Sequence, residues 1–362
     1  MNRVGGSGAA TLVVLLTIGV LSACSSQSTD GATPVTPAAT APATEVAAKG
    51  LEAPWSVVLV GGSFLVSERD SGRIIEVLED GSTREAGVIA DAEGEGEGGL
   101  LGLALDRDDD GVDELYVYLT TMTDNRIQRV ELQGEPGSLS LGGSETVIDG
   151  IPRARNHNGG RIAFGPDGML YVGTGDAGRP DASQDPDSLG GKILRMTPDG
   201  DVPGDNPIDG SFVYSSGHRN VQGIAWAEDG TMFASEFGQN TWDELNVIEA
   251  GANYGWPVVE GDAGNPDFVD PVQQWSPGEA SPSGIAVAGG ILYIANLRGE
   301  RLRSVDLDDL SVATDHLTGE YGRLRDVIPA PGGGLFVLTN NTDGRGDPVE
   351  GDDRLVRVVA GE

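Results

Sequence analysis

Short runs of alternating hydrophobic and polar residues recur along the chain from about Leu51 onward. Each copy has an apolar run, a turn of the Pro-Asp-Gly or Gly-Gly kind, a second run resembling LYV, and a third that mixes arginine with aliphatic residues. Alternation with a period of two indicates β-strands with two different faces. Asp-Gly and Gly-Gly between such runs are typical of hairpins. The pattern therefore predicts an all-β protein built from a repeated three-strand unit.

Six copies of the unit follow one another, with a period of roughly 30–50 residues. They contain the segments SVVLVGGSFLV, LGLALDRDDDGVDELYVYL, GGRIAFGPDGMLYVG, QGIAWAEDGTMFAS, SGIAVAGGILYIAN and RDVIPAPGGGLFVL. Short strands repeated at this spacing favour a propeller, in which each blade covers the faces of its neighbours. The alternative is a β-sandwich whose self-similarity is accidental. The sequence thus predicts a six-bladed β-propeller over residues 49–362.

The first 48 residues lack this pattern. Residues 1–23 contain Arg3, an apolar stretch from Ala9 to Val20, and then Leu-Ser-Ala before Cys24. The apolar stretch is short for a membrane span and typical of a signal peptide. The sequence LSAC resembles a bacterial lipobox, which implies cleavage before Cys24 and a lipid on its sulfur. The alternative is an ordinary signal peptide that contains a cysteine.

Residues 24–48 are rich in Ser, Thr, Ala and Pro, a composition that buries little apolar surface. They are predicted to be a flexible tether between the lipid and the folded domain. We therefore expect an exported lipoprotein on the extracytoplasmic face of the cell envelope, held to the membrane by its lipid anchor only.

Composition narrows the function classes. The formal net charge of −34 argues against nucleic-acid binding, which needs clustered lysine and arginine. Acidity of this size is consistent with solubility alone or with calcium binding through carboxylates. The single cysteine excludes an intramolecular disulfide and a cysteine-based zinc site.

Three polar segments carry candidate chemistry. His157, in RNHNGGRIAFGPDG, is one of only three histidines and a candidate general base, or else a solvated loop residue. In GHRNVQG, Arg219 and Asn220 have the donors to bind an anionic or carbonyl-bearing ligand, while His218 has the position to brace the loop. The segment SEFGQNTWDELN offers carboxylates and turn carbonyls, which are calcium ligands or simply a solvated acidic turn; these are Glu236, Gly238, Gln239, Asp243 and Glu244.

Arginines cluster late in the chain, at Arg298, Arg323 and Arg325. Arg323 and Arg325 are two residues apart on a predicted strand, so both are expected on the same face. They are candidates to face a polyanion in the propeller mouth, or to form surface ion pairs with neighbouring acids.

The segments GLLGLAL, NHNGGRIAFGPDGMLYVGTGDAGR, GGKILRMTPDG, GHRNVQGIAW, SEFGQNTWDELN and NYGWP resemble the glucose/sorbosone dehydrogenase family over nearly all of residues 50–358. The family's members are soluble aldose sugar dehydrogenases that use pyrroloquinoline quinone (PQQ), and their fold is a six-bladed propeller. The resemblance implies an enzyme that oxidises an aldose to its lactone and passes electrons to an external acceptor such as a quinone, cytochrome or dye. It is expected to be a monomer or weak dimer.

The resemblance also assigns roles. It implies that His157 is the base that takes the anomeric hydroxyl proton, beside the orienting acid Asp176. Arg219 and Asn220 correspond to the pair that holds the quinone, and Arg219 also stabilises charge on its oxygens. The remaining implied roles are cofactor contacts at Glu97, His157, Arg298, Arg323 and Arg325, catalytic calcium at the carbonyls of Gly238 and Gln239, and a structural calcium at Glu244 and Tyr254.

The chain departs from the family pattern at several places, two of which change the charge. Glu97 is charged where a neutral glutamine is common, and the Asp106–Gly111 run is acidic enough to be a calcium loop of its own. Two other functions remain open: a propeller that binds or scaffolds without catalysis, and a calcium-dependent lactonase. The lactonase requires a central ring of side-chain ligands that the sequence does not offer. The non-catalytic propeller is disfavoured by the joint presence of His157, Asp176, Arg219, Asn220, Arg323 and Arg325.

Overall fold

The computed structural model describes residues 42–107 and 113–359. The predicted signal peptide, Cys24 and the tether up to residue 41 lie outside the described residues. Most of the Asp106–Gly111 run lies outside them as well. The described part of the chain contains no helix with the length and apolarity that crossing a bilayer requires.

Twenty-four strands in the described residues form six antiparallel four-stranded sheets, so the predicted six-bladed β-propeller is confirmed. Blades 1 to 3 contain β2 (Pro54–Val60), β3 (Ser63–Glu68), β4 (Arg73–Val77) and β5 (Thr83–Val88); β6 (Leu100–Arg107), β7 (Asp113–Thr120), β8 (Asn125–Gln133) and β9 (Ser140–Ile151); and β10 (Ile162–Phe164), β11 (Leu170–Gly173), β12 (Lys192–Met196) and β13 (Val213–Ser216). A 3₁₀ turn, Pro180–Ser183, lies between β11 and β12.

Blades 4 and 5 have the same order. They contain β14 (Val221–Trp226), β15 (Met232–Glu236), β16 (Asp243–Ile248) and β17 (Gln273–Trp275), and then β18 (Pro282–Ala288), β19 (Ile291–Asn296), β20 (Arg301–Asp306) and β21 (Ala313–His316). Each blade has four strands, whereas the sequence pattern predicted three. In blades 4 and 5 the additional outer strands are short, and β21 is mostly exposed, so these two lack an alternating apolar face.

Blade 6 joins the two ends of the domain. It contains β22 (Leu324–Pro329), β23 (Leu335–Thr339) and β24 (Arg354–Val359), and its outer strand is β1 (Ala43–Lys49). In this antiparallel pair Ala43 lies opposite Val359. The prediction that the tether extends to residue 48 is therefore wrong for residues 43–48. Because their side chains are mostly small or polar, the sequence carries no strand signal there, and the strand is stabilised by pairing with β24.

The core lies between neighbouring blades. One apolar cluster joins blades 1, 2 and 3 around Trp55 and Tyr116, and another joins blades 6 and 1 around Leu51 and Leu338. The inner strands β2, β6, β10, β14, β18 and β22 contact their neighbours around the ring. Because every blade is packed on both faces, the connections at one end are held on a rigid base, where a site can form.

Candidate active site

His157 and Asp176 form a hydrogen-bonded pair in two connections, one that leads into blade 3 and one within it. His157 lies on the connection into β10 and Asp176 follows β11, and their Nδ1 and Oδ1 atoms are 2.7 Å apart. The imidazole is 14% exposed, while the carboxylate is fully buried. No described residue bonds to Nε2 of His157. An ionised Asp176 holds the ring proton on Nδ1, which leaves Nε2 as a free, reachable base.

Three donors keep Asp176 ionised. Besides His157, the indole N–H of Trp256 donates to Oδ2 at 2.9 Å and the backbone N–H of Gly178 donates to Oδ1 at 2.8 Å. Burial raises the pKa of Asp176, but the interactions with His157 and the other hydrogen bonds outweigh it and lower the pKa below its ordinary value. The site therefore contains a buried carboxylate that stays charged.

The backbone at His157 has an unusual conformation. Its φ of 57° lies in the left-handed region, which non-glycine residues rarely adopt. The N–H of His157 donates to Oε2 of Glu97 at 2.8 Å, and its carbonyl accepts from Ala177. A Cβ at Gly175 would collide with that carbonyl, so a glycine is needed there. These contacts fix the direction of the imidazole.

Asn220 lies behind the His157 segment, where only 1% of the residue is exposed. Its Oδ1 accepts the N–H of Gly159 at 2.9 Å, and Gln222 donates to the same oxygen at 3.3 Å. This oxygen holds the loop after His157, and the cofactor contact of Asn220 stays a prediction.

The Arg219 side chain lies between the loop after β15 and Trp256, the residue that bonds to Asp176. Its Nη1 donates to the carbonyl of Phe237 at 3.0 Å, and its guanidinium lies 5.5 Å from the ring centre of Trp256. The Nε atom is buried and meets no acceptor among the described residues. Burial lowers the pKa of Arg219 despite nearby acids such as Asp176. Arg219 is thus a desolvated cation with an unused donor beside the candidate base.

His218 has the bracing role that its sequence position suggested. The ring is fully buried, its Nδ1 is 2.9 Å from Oε1 of Glu236, and its Nε2 is 2.8 Å from Oγ of Ser215. It stacks on Tyr254 with ring centres 4.7 Å apart. Both nitrogens have partners, so this histidine supports the Arg219 segment and is not available as a base.

Arg325 is a buried cation on the innermost strand of blade 6. Only 8% of the residue is exposed, and its guanidinium lies 4.4 Å from the ring centre of Trp55. Arg161 lies 4.5 Å from the same ring. No described carboxylate pairs with Arg325, and its Nε meets no acceptor there. Burial, followed by the charges of Arg161 and Arg69, lowers the pKa of Arg325 well below its ordinary range.

Arg323 lies beside Arg325 and has a partner. Its Nη2 is 3.2 Å from Oδ2 of Asp343, and its Nε donates to the carbonyl of Asn340. Arg69, at the end of β3, pairs with Asp70 at 2.6 Å and lies 3.9 Å from Asp343. The two neighbouring arginines are thus partly neutralised.

A small cavity connects these cations with the histidine segment. Its lining includes Arg69, Arg325, Arg345, Glu97 and Gly159. Glu97 also forms an ion pair with Arg345 at 3.1 Å. The charged residue at position 97 therefore has a basic partner, and it contacts both this cation and the backbone of His157. Arg298 is exposed and does not line this cavity; its charge acts on Asp243.

The candidate calcium loop lies between β15 and β16. The N–H of Gly238 donates to Oδ1 of Asp243 at 2.8 Å, and the N–H of Gln239 donates to Oε1 of Glu260 at 2.7 Å. Burial raises the pKa of Asp243 to about 6. Among the described residues, no three His, Cys, Asp or Glu side chains cluster as a metal site. The ligands that this loop offers are therefore its carbonyl oxygens.

Glu244 and Tyr254, the predicted ligands of a structural calcium, each have partners within the protein. Glu244 is buried, accepts the N–H of Gly261 at 2.7 Å, and has a pKa raised to about 8 by burial and by Glu236. The Tyr254 hydroxyl donates to the carbonyl of Val247 at 2.6 Å. That hydroxyl is already bonded, so a metal role for Tyr254 is left to its backbone carbonyl.

The family model of the Glucose / Sorbosone dehydrogenases matches residues 51–356. The chain belongs to this family. Its fold aligns with the PQQ-bound aldose sugar dehydrogenase of Streptomyces coelicolor at a TM-score of 0.84 and 51% identity, covering 88% of this chain and 99% of that one.

Two curated proteins are similar to parts of the chain. Quinoprotein glucose dehydrogenase B of Acinetobacter calcoaceticus is 33% identical over 54% of this chain and 48% of its own length. The Escherichia coli aldose sugar dehydrogenase YliI is 30% identical over 55% of this chain and 62% of its own length. The predicted resemblance to the glucose/sorbosone dehydrogenases is thus confirmed.

Sequence reasoning missed several residues of this family member's site. Arg69, Arg161 and Arg345 were not considered, although Arg161 stands out as a cation in the otherwise apolar segment GGRIAF. Trp256 belongs to the motif NYGWP, but the sequence alone assigned it no role. Ring closure brings these residues to the site, and no local pattern in the sequence encodes it.

Proposed function

We propose that the protein oxidises aldose sugars to lactones with PQQ and calcium and passes the electrons to an external acceptor. The observation that carries this proposal is the free Nε2 of His157, held by a buried and ionised Asp176, directly before the Asn158–Gly159 segment that lines one cavity with the unpaired Arg325. PQQ, when bound, supplies the carbon that accepts the hydride. This chain supplies a base, cations and orientation.

The residues at the mouth fit an anionic quinone. A buried arginine without a counter-ion is unfavourable, and a carboxylate placed against it restores both the charge balance and the missing hydrogen bond. Arg325 is such a cation, and Arg219 has a second unused N–H. The cofactor carboxylates would be held by Arg325 with Arg323 beside it, and Arg219 would stabilise negative charge that develops on the quinone oxygens.

The proton would go to His157. The imidazole is the exposed member of the pair and its Nε2 has no partner among the described residues, so it would be the atom that takes the proton of a sugar hydroxyl. Asp176 would stabilise the resulting imidazolium and would keep the ring from turning. The carbonyls of Gly238 and Gln239 would hold the calcium, a hard cation that prefers oxygen ligands.

The chain offers a matched pair of variants to test the base. Apo-protein reconstituted with PQQ and calcium should reduce a dye with glucose or another aldose. His157→Ala should lower kcat at least about 100-fold, within the usual contribution of a general base, while cofactor affinity changes little. His316→Ala is the control, because His316 lies on β21 and bonds to Ser304. Equal turnover in His157→Ala and wild type would refute the assigned base.

We also propose that Cys24 carries a lipid and that the protein works outside the cytoplasmic membrane. The support is the LSAC sequence after a short apolar stretch. Cys24→Ser should release the protein from the membrane fraction, and metabolic labelling with a fatty acid should mark the wild type alone. A wild-type protein that takes up no label would contradict the lipid anchor.

A further inference from the structure

The loop after β15 wraps around one carboxylate. Oε1 of Glu260 accepts backbone N–H groups from four consecutive residues at 2.7 to 3.2 Å; these are Gln239, Asn240, Thr241 and Trp242. Successive N–H groups that converge on one anion form a nest. Because Glu260 comes from a different segment of the chain, the curl of this loop depends on a contact across the site.

The nest also sets the direction of the loop carbonyls. The N–H and C=O of one planar trans peptide point in opposite directions. Since the N–H groups of Gln239 and Asn240 point at Glu260, the carbonyls of Gly238 and Gln239 point away from it. Neither carbonyl accepts a hydrogen bond from a described residue.

The start of the loop is fixed separately. Asp243 accepts the N–H of Gly238 with one oxygen and the N–H of Ser281 with the other, at 2.8 and 2.7 Å. The carbonyl of Phe237 is occupied by Arg219. The two free carbonyls thus lie between the Phe237 carbonyl, which already accepts a hydrogen bond, and the nest. They are beside the candidate active site.

We infer that Glu260 is the positioning residue for calcium: its carboxylate holds the loop amides on one side so that the Gly238 and Gln239 carbonyls face the cation on the other. This inference rests on the proposed function, because it assigns the calcium to this loop. Glu260 itself does not bind the ion, and it acts through the orientation of four peptides. A residue that orients ligands in this way commonly changes metal affinity about 10- to 100-fold.

The test measures metal binding by the apo-protein, without cofactor or sugar. Chelator-treated protein is titrated with Ca²⁺ by calorimetry and with Tb³⁺ by tryptophan-sensitised luminescence, since Trp242 lies in the loop itself. Glu260→Gln should weaken binding about tenfold or more and speed amide exchange at residues 239–242. Asp262→Asn removes the same charge from an exposed side chain two residues away and should leave both unchanged. Glu260→Asp, which keeps the charge on a shorter side chain, should lie between.

The outcomes separate the two proposals. The role of Glu260 is supported if wild type binds the ions, Glu260→Gln binds them more weakly, and Asp262→Asn binds them as wild type does. Wild-type binding that Glu260→Gln leaves unchanged overturns the role of Glu260 alone. A wild-type loop that binds neither ion overturns the calcium part of the proposed function, and the inference with it. If Glu260→Gln does not fold, the comparison of Glu260→Asp with wild type decides in the same way.

Discussion

Trp256→Phe removes one hydrogen bond from the candidate active site while preserving an aromatic ring. In the structure the indole N–H donates to the buried Asp176 at 2.9 Å, and the ring lies against Arg219. Phenylalanine keeps a ring face for the guanidinium but offers no donor to the carboxylate. The variant therefore isolates the contribution of this N–H to the His157–Asp176 pair.

The expected size follows from the charge and burial of the acceptor. A hydrogen bond to a charged group contributes about 1.5–3 kcal/mol. If the imidazolium forms in the transition state, loss of this bond should lower kcat by roughly 10- to 150-fold. PQQ affinity should change less than about threefold, because the donor does not face the cofactor cations.

The pH profile gives a second, independent measure. Asp176 has a pKa below the ordinary value, and the Trp256 bond is one of the causes. Its removal should raise the pKa of Asp176, so that on acidification the carboxylate is lost at a higher pH than in wild type. The acidic limb of kcat/KM should move upward accordingly.

The assay compares Trp256→Phe with Trp226→Phe, a similar exchange on β14. Dye reduction by an aldose is followed across pH after reconstitution with PQQ and calcium. If Trp256→Phe retains wild-type kcat and an unmoved acidic limb, the indole has no part in holding the pair, and the reasoning from burial and charge is wrong.

Three further predictions test other parts of the structure. Arg325→Met should weaken PQQ binding at least about 100-fold in a cofactor titration and raise the Tm of the apo-protein, since it removes a buried unpaired charge; a lower apo Tm would contradict this. Glu97→Gln keeps an acceptor for the His157 N–H and loses only a partly exposed ion pair, so kcat should stay within about threefold. Glu97→Ala should lower kcat about tenfold or more, and equal rates for these two variants would exclude the backbone contact. Removal of residues 1–49 should lower the Tm by roughly 10 °C relative to removal of residues 1–41, as measured by calorimetry, because only the longer deletion takes away β1; equal Tm values would show that β1 is dispensable.

The inner strands could be predicted because their side chains alternate and their turns carry glycine. The outer strands could not. QQW and ATDH have no apolar face, and they are strands only because a third strand offers them hydrogen bonds. The segment ATEVAAK has the composition of the preceding tether, and its partner β24 lies at the far end of the domain.

The candidate site, too, could be predicted only in part. His157, Asp176 and Arg219 stand in recognisable motifs, so their types and order indicated the chemistry. The stacking of Arg161 and Arg325 on Trp55 depends on three blades that meet around the ring, which no single motif reports. The ion pair of Glu97 with Arg345 explains an apparent departure from the family pattern through a residue in a different blade.

The composite sixth blade has a consequence for biosynthesis. Because β1 is made before every other described strand and its partner β24 after them, the ring stays open, with an unpaired strand edge, until nearly the whole chain has left the ribosome. Pairing of such distant segments is slow compared with hairpin formation. The nascent chain is therefore exposed to aggregation and proteolysis until its final strand arrives, and an early stop codon leaves an open ring rather than a smaller stable one.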